Sequence, residues 1–167
     1  MILEKRETVQ SNNSFEILST KCITQFSNSI RNNFGFLNNA KKSSPLDRDL
    51  LFMQEGRKVF KEVVPMVSQL IIDHVTEEKI EIDEIKRLWL HQANKSMNDF
   101  IGKKVLGRIP KDHEQPNILQ DYANTSSAGS IIAFSLYSED MKSDEIGVLC
   151  SFGAGYSAGS IILKKTS

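Results

Sequence analysis

The sequence has few of the features that mark a secreted or membrane-spanning protein. Only two of its 167 residues are cysteines, Cys22 and Cys150, so we expect a reducing, cytoplasmic environment rather than a disulfide framework. The apolar stretch at 63–75 contains a proline and several polar residues, which excludes it as a membrane span. Residues 1–6 lack the apolar core of a signal peptide.

The sequence also lacks an excess of charge of either sign. Lys and Arg together number 21, as do Asp and Glu, so no net field favours nucleic acid or an anionic membrane as a partner. No histidine–carboxylate spacing or zinc signature is present, and we predict no metal site. The hydrophobic content of 40% suits one globular domain with a core.

The first third of the chain is predicted to contain one strand between irregular segments. Residues 1–3 are apolar and precede a charged run, which is typical of the end of a strand whose beginning is missing. Residues 15–26 are rich in β-branched and aromatic side chains and predict a strand. Residues 28–39 carry five asparagines and Gly35, which favours an irregular loop.

The remaining chain alternates between helical and strand patterns. Helical spacing of apolar residues predicts a helix from Asp49 to about Glu78, kinked at Pro65. Residues 85–90 predict a buried strand, and Asn94 can cap a following helix that ends at Gly107. We further predict a strand at 116–122, a helix over 131–137 capped by one of the serines at 126 and 127, and a strand pair at 146–152 and 157–164. This order predicts an α/β layered fold.

Three polar motifs occupy the ends of predicted strands. They are WLHQAN at 89–94, YANTSS at 122–127 and the glycine-rich SFGAGYSAGS at 151–160. His91 and Asn124 each lie where an apolar segment becomes polar. A neutral imidazole and a carboxamide that converge can donate two hydrogen bonds to a carbonyl oxygen that is becoming an enolate.

Together the motifs resemble the C-terminal half of the β-ketoacyl-acyl-carrier-protein synthase III family, which are condensing enzymes of the thiolase fold. The resemblance implies a thiolase-like half with a mixed sheet and covering helices. It assigns residues 15–167 to the C-terminal domain and residues 1–14 to the end of the preceding half. The nucleophilic cysteine of the family belongs to that preceding half, and we expect the sequence to begin after it.

The resemblance also implies roles for individual residues. His91 and Asn124 would bind the thioester oxygen during condensation, with His91 kept neutral by desolvation. Gly153, Ala154 and Gly155 would form a backbone donor loop, with Ala154 in place of the usual glycine. Phe152 would pack beside the nucleophile.

Each of these residues also has a structural interpretation. His91 can be a hydrogen-bonded histidine at a strand end, Phe152 can be a core residue and the glycines can form a tight turn. Both cysteines are interpreted as strand residues rather than nucleophiles. His74 is predicted on a helix surface and His113 in a loop.

In the family, a basic residue two positions after the asparagine of the histidine motif serves to dock the carrier protein. Ser96 has that place here, so Lys95, Lys103 and Lys104 could supply an alternative basic face for an acidic carrier. The competing interpretation is a solvated helix surface.

The predicted function is that of the C-terminal part of a synthase III-like acyltransferase. Such an enzyme joins an acyl thioester to malonyl-acyl carrier protein in fatty acid or polyketide biosynthesis. It needs no cofactor, because the substrates carry phosphopantetheine or coenzyme A. The expected partners are the acyl carrier protein, an acyl primer, the missing half and, for the full-length enzyme, a second copy. The alternatives are an inactive gene fragment, a subunit of a split synthase and a non-catalytic acyl-binding or scaffold protein.

Overall fold

The computed structural model describes residues 2–11, 13–32 and 52–166. Its strands are β1 (Phe15–Ser27), β2 (Ile30–Asn32), β3 (Phe52–Gln54), β4 (Ile85–Leu90), β5 (Ile146–Gly153) and β6 (Gly155–Lys165). Its α-helices are α1 (Gly56–Glu77), α2 (Lys95–Leu106), α3 (Leu119–Tyr122) and α4 (Ala128–Leu136). No described helix is long and apolar enough to pass through a bilayer.

The main sheet has four strands in the order β1-β6-β5-β4. β4 and β5 are parallel, whereas β6 is antiparallel to both β5 and β1. The mixed sheet predicted from the sequence is therefore confirmed. Because β4 and β5 run in the same direction, their carboxyl ends lie side by side, and the segments that follow them meet at one edge of the sheet.

Both faces of the sheet are covered, because side chains alternate along each strand. Leu88 and Leu90 point into a large core with α1 and α2. Trp89 points to the other face, where Phe134 of α4 and Phe15 of β1 pack against it. The result is helix layers on the two sides of one sheet.

Helix α1 confirms the predicted long helix from Gly56 onwards, but residues 52–54 of the predicted helix form strand β3 instead, paired with β2. Asp49, where the sequence pattern begins, lies outside the described residues. Pro65 is inside the helix, on its exposed side, where the missing N–H leaves a carbonyl open to water. The kink at this proline stays a prediction.

Helix α2 confirms both predicted caps. Asn94 precedes it, and its Oδ1 accepts a hydrogen bond of 2.8 Å from the backbone N–H of Met97. Gly107 ends the helix with φ at 69°, in the left-handed region that glycine adopts at low cost.

Three further sequence predictions are wrong. Residues 2–5 form no strand, and a single 3₁₀ turn follows them at Arg6–Thr8. β2 lies inside the predicted loop at 28–39, of which residues 33–39 are outside the described part. The predicted strand at 116–122 is instead loop followed by the one-turn helix α3, where the Asn117 side chain accepts from Leu119 N–H. Local side-chain hydrogen bonding of this kind competes with strand pairing.

His74 is the largest correction in the core, because it is buried and not on a helix surface. One ring nitrogen lies 2.9 Å from Ser160 Oγ on β6, and the other lies 3.1 Å from Ser19 Oγ on β1. Its side chain therefore connects α1 to two neighbouring strands. Burial lowers the pKa of His74 below its ordinary value of 6.5, although Glu78 nearby opposes this.

We predict that the chain loses stability as the pH falls below 6.5. Because the pKa of His74 is lowered in the folded chain, the unfolded chain binds a proton at a higher pH than the folded chain does. Acid therefore favours unfolding. Each such histidine changes the free energy of unfolding by at most about 1.4 kcal/mol per pH unit. Urea denaturation at pH 7 and pH 5 measures the effect. His74→Gln should reduce the difference, whereas replacement of the exposed His113 should leave it unchanged. An equal difference in wild type and His74→Gln would contradict the prediction.

Candidate active site

His91 follows β4 directly, at the carboxyl ends of the two parallel strands. Its backbone N–H donates to the carbonyl of Cys150 on β5 over 2.7 Å, which extends the pairing by one residue. Only 7% of the residue is exposed. The imidazole packs against Phe152, with ring centroids 4.7 Å apart and the planes tilted by 60°.

Burial lowers the pKa of His91 below 6.5, although the nearby backbone of Ser126 partly opposes this shift. The imidazole is therefore neutral at physiological pH, the form that can donate one hydrogen bond without carrying charge. Its Nδ1 is buried and has no partner within the described residues. No structural carboxylate or hydroxyl of the described chain is hydrogen-bonded to the ring, in contrast to His74.

Asn124 lies in the loop between α3 and α4. Its Oδ1 accepts from the backbone N–H of Ser126 over 3.0 Å, which fixes the orientation of the carboxamide. The Nδ2 group is left to donate elsewhere. Ser126 has φ at 58°, and Ala123 at 55°, so the backbone turns sharply on both sides of the asparagine. Asn124 itself is exposed.

The backbone of Ser126 connects the first two motifs. It affects the pKa of the His91 imidazole, and it is hydrogen-bonded to the Asn124 carboxamide. The structure thus brings the loops of His91 and Asn124 together. Their joint action on one substrate oxygen stays a prediction.

Gln92 was missed by the sequence analysis and is the most buried polar residue next to His91. Its Nε2 donates to the carbonyl of Leu90 over 2.9 Å and lies 3.5 Å from that of Pro116. Its Oε1 accepts from the N–H of Ile118 over 3.1 Å. These hydrogen bonds connect the end of β4 to the loop before α3. A fully buried glutamine is expected to be hydrogen-bonded. Its place between His91 and Ala93, just after an apolar strand, was the available signal.

Helix α4 approaches this loop closely because residue 129 is a glycine. A Cβ there would lie 3.0 Å from the Gln92 side chain. At the same end of α4, Ser130 Oγ and Ser151 Oγ are hydrogen-bonded to each other over 2.7 Å, and they lie 3.0 Å and 3.3 Å from the carbonyl oxygen of Ser127. The second and third motifs are therefore also in contact. Ser127 has the N-cap position of α4 but makes no side-chain cap, contrary to expectation.

The glycine-rich motif forms the tight turn between β5 and β6. Gly153 ends β5 and Gly155 begins β6 with φ at 135°, so only Ala154 lies between the strands. Ala154 is exposed. Its φ is negative, since Ala154 is not among the described non-glycine residues that have a positive φ. Its N–H is thus compatible with the predicted donor role. That role remains a prediction.

Both cysteines are strand residues, as the sequence predicts. Cys150 is fully buried in the core, and burial raises the pKa of its thiol to about 12. A thiol with such a pKa is protonated at neutral pH and reacts poorly. Cys22 is exposed on β1, where it pairs with Gly159 of β6. Within the described ranges, no group of three or more His, Cys, Asp or Glu side chains could hold a metal ion.

The lysines predicted for carrier docking lie on α2, which starts four residues after His91. Lys95 forms a salt bridge with Asp99 at 2.8 Å, so its charge is partly neutralised. Lys103 and Lys104 are exposed in the last turn and have no salt bridge within the described residues. Lys95 and Lys103 border a cavity of about 490 Å³ between α2 and the segment at 109–117.

The segments that contain His91, Asn124 and the glycine-rich turn lie near one another at one edge of the sheet. Residues 75–165, more than half of the chain, match the model of the 3-oxoacyl-acyl-carrier-protein synthase III C-terminal family. The chain therefore belongs to this family.

Individual relatives agree with the family. The chain is 56% identical over 165 residues to the β-ketodecanoyl-acyl-carrier-protein synthase of Pseudomonas aeruginosa, which covers 99% of this chain and 47% of that protein. It is 32% identical over 111 residues to a β-ketoacyl-acyl-carrier-protein synthase III of Clostridium perfringens, covering 65% and 33% of the two chains. The crystal structure of 3-oxoacyl-acyl-carrier-protein synthase III from Aquifex aeolicus superposes with a TM-score of 0.73 at 20% identity, over 96% and 52% of the chains. The chain thus spans about half the length of its relatives or less, and the thiolase-like fold is confirmed.

Proposed function

We propose that this chain provides the condensation half of a synthase III-type acyltransferase. In the assembled enzyme, an acyl group is first transferred to a cysteine of the other half. His91 and Asn124 then bind the thioester oxygen of a malonyl-acyl carrier protein as it loses CO₂ and becomes an enolate. The enolate carbon attacks the acyl-cysteine, and the cysteine thiolate leaves.

The observation that carries the proposal is the buried, neutral imidazole of His91, which lies near the loop that contains the oriented carboxamide of Asn124. A neutral donor suits an enolate oxygen, because it stabilises the developing charge without a proton transfer that must be reversed. Within the described residues, Nδ1 of His91 and Nδ2 of Asn124 have no hydrogen-bond partner, which is consistent with groups whose partner is a substrate. No cofactor is required for these steps.

The acyl substrate follows from the relative that is 56% identical. Its name gives a β-ketodecanoyl product, which has ten carbons. Decarboxylative condensation adds two carbons, so we propose an eight-carbon, octanoyl primer for the enzyme that contains this chain. The thioester could be carried by coenzyme A or by an acyl carrier protein. In the latter case the exposed Lys103 and Lys104 supply charge complementary to an acidic carrier.

We also propose that the cysteine half binds on the side of α4. The sequence of α4 is apolar on all sides, which is typical of a helix buried between layers. Yet Leu136 and Tyr137 at its end are 50% and 41% exposed. Exposed apolar surface of this kind marks an interaction site, and a second α/β half that supplies the nucleophile fits the incomplete chemistry.

The decisive experiment compares the chain alone with the chain mixed with the cysteine-bearing half of a close relative. We expect the chain alone to form no β-ketoacyl product from malonyl-acyl carrier protein and acyl-coenzyme A primers, because the nucleophilic cysteine is expected in the other half. The mixture should form a complex by light scattering and should convert octanoyl primers in preference to acetyl primers.

Several outcomes would contradict the proposal. Turnover by the isolated chain that Cys22→Ala or Cys150→Ala abolishes would reassign the nucleophile. A stable complex without turnover would favour a non-catalytic acyl-binding role. Leu136→Asp should weaken complex formation, whereas substitution of the exposed Ile109, which is on a different segment, should not.

A further inference from the structure

Tyr156 is a tyrosine buried directly after the glycine-rich turn. Only 1% of the residue is exposed, and its ring belongs to the core shared with α1. A buried phenol requires a hydrogen-bond partner, and here the partner is charged. The Tyr156 hydroxyl donates to the Glu62 carboxylate on α1 over 2.7 Å.

This hydrogen bond ties the turn to a rigid element. Glu62 lies in the second turn of a 22-residue helix whose apolar side is buried against the sheet. One residue further along β6, Ser157 Oγ lies 3.1 Å from Thr24 Oγ1 on β1. The residues from Gly153 to Gly155 have no side chain that could make such contacts, apart from the methyl group of Ala154. Besides the strand pairing of Gly153 and Gly155, the side chains that follow the turn are therefore the groups that restrain it.

We propose that Tyr156 and Glu62 are positioning residues that hold the Gly153–Gly155 turn in place. A backbone N–H stabilises an oxyanion only when it points at the position of the developing charge, so small displacements of the turn reduce the rate. The inference rests on the proposed function for its catalytic consequence. The restraint on the turn is independent of that function and can be measured in the chain itself.

The restraint is tested by hydrogen–deuterium exchange of peptides covering residues 150–160 in the chain alone. Tyr156→Phe keeps the ring and removes the charge-assisted bond, and we expect about tenfold faster exchange of the turn amides. Glu62→Ala should have the same effect, and the double variant should add little to either change. Glu62→Gln, which keeps an acceptor, should retain most of the protection. Tyr137→Phe, at an exposed tyrosine, serves as the matched control.

The catalytic consequence is tested in the assembled enzyme. Tyr156→Phe should lower kcat for condensation about tenfold with little change in KM, because the amides act mainly in the transition state. Glu62→Gln should restore the rate that Glu62→Ala loses. A thermal midpoint measured in parallel separates this effect from loss of folded protein.

The outcomes separate the two ideas. Unchanged exchange in Tyr156→Phe overturns the proposed restraint, whatever the activity. Faster exchange with an unchanged kcat in an active enzyme overturns the positioning role. If exchange is faster but the wild-type assembly is inactive, the proposed function is overturned, and so is the catalytic role of the turn. The structural restraint is still supported by that result.

Discussion

Replacement of His91 by alanine in the assembled enzyme should slow condensation about 100- to 1000-fold while acylation of the partner cysteine stays measurable. The imidazole is buried and neutral. In the proposed mechanism it donates to a charge that exists only after decarboxylation begins. Loss of one such preorganised donor costs about 2.7–4 kcal/mol in the transition state. Acylation is followed by mass spectrometry of the cysteine half, and condensation by formation of the β-ketoacyl product.

Asn124 provides the internal comparison for this result. Asn124→Ala should act in the same direction, and the double variant should be less than additive because both donors serve one oxygen. His113→Ala, in an exposed loop, should leave both steps unchanged. If condensation remained intact in His91→Ala, the histidine would be a structural residue and the proposed function would fail.

The largest loss of stability is expected for Trp89→Ala. The indole is fully buried on the α4 side of the sheet, 4.9 Å from the Phe134 ring in an edge-to-face arrangement. Its Nε1–H donates to the carbonyl of Tyr137 over 3.0 Å, so the same side chain holds the end of α4. Truncation of a buried tryptophan typically lowers the free energy of unfolding by about 3–5 kcal/mol.

Urea denaturation of the chain measures the loss. Phe26→Ala is the matched aromatic control, because Phe26 is 85% exposed and its replacement should change the free energy of unfolding by less than about 0.5 kcal/mol. Equal losses in the two variants would mean that the Trp89 side of the sheet is not a packed core in solution.

Much of the fold followed from local sequence patterns. The strand at Ile85–Leu90 was predicted with the observed limits because six mostly apolar residues are flanked by polar ones. The caps of α2 were predicted because asparagine and glycine act through their own backbone neighbours. The family resemblance was also confirmed. The motifs that carry it contain information about contacts between distant segments, which hydrophobic periodicity does not provide.

The failures share a physical cause, which is dependence on distant residues. His74 lies at the spacing of the buried face of α1, but its polarity favoured a surface position, and only the serines of β1 and β6 make its burial favourable. Residues 116–122 were predicted as a strand, but the bonds from Gln92 hold residues 116–118 as a loop. The link between His91 and Asn124 through Ser126 likewise depends on segments more than thirty residues apart.

Gln92 has a consequence for how the protein can change over evolutionary time. The Gln92 side chain is hydrogen-bonded to the backbone of both Leu90 and Ile118. The position of His91 is therefore restrained by a contact that does not involve residues 93–115. Insertions and deletions around the exposed residues 107–113 should therefore leave the histidine undisturbed, and surface loops tolerate such changes well. The end of α2 and the segment after it can then differ in length and charge between related proteins without displacing His91.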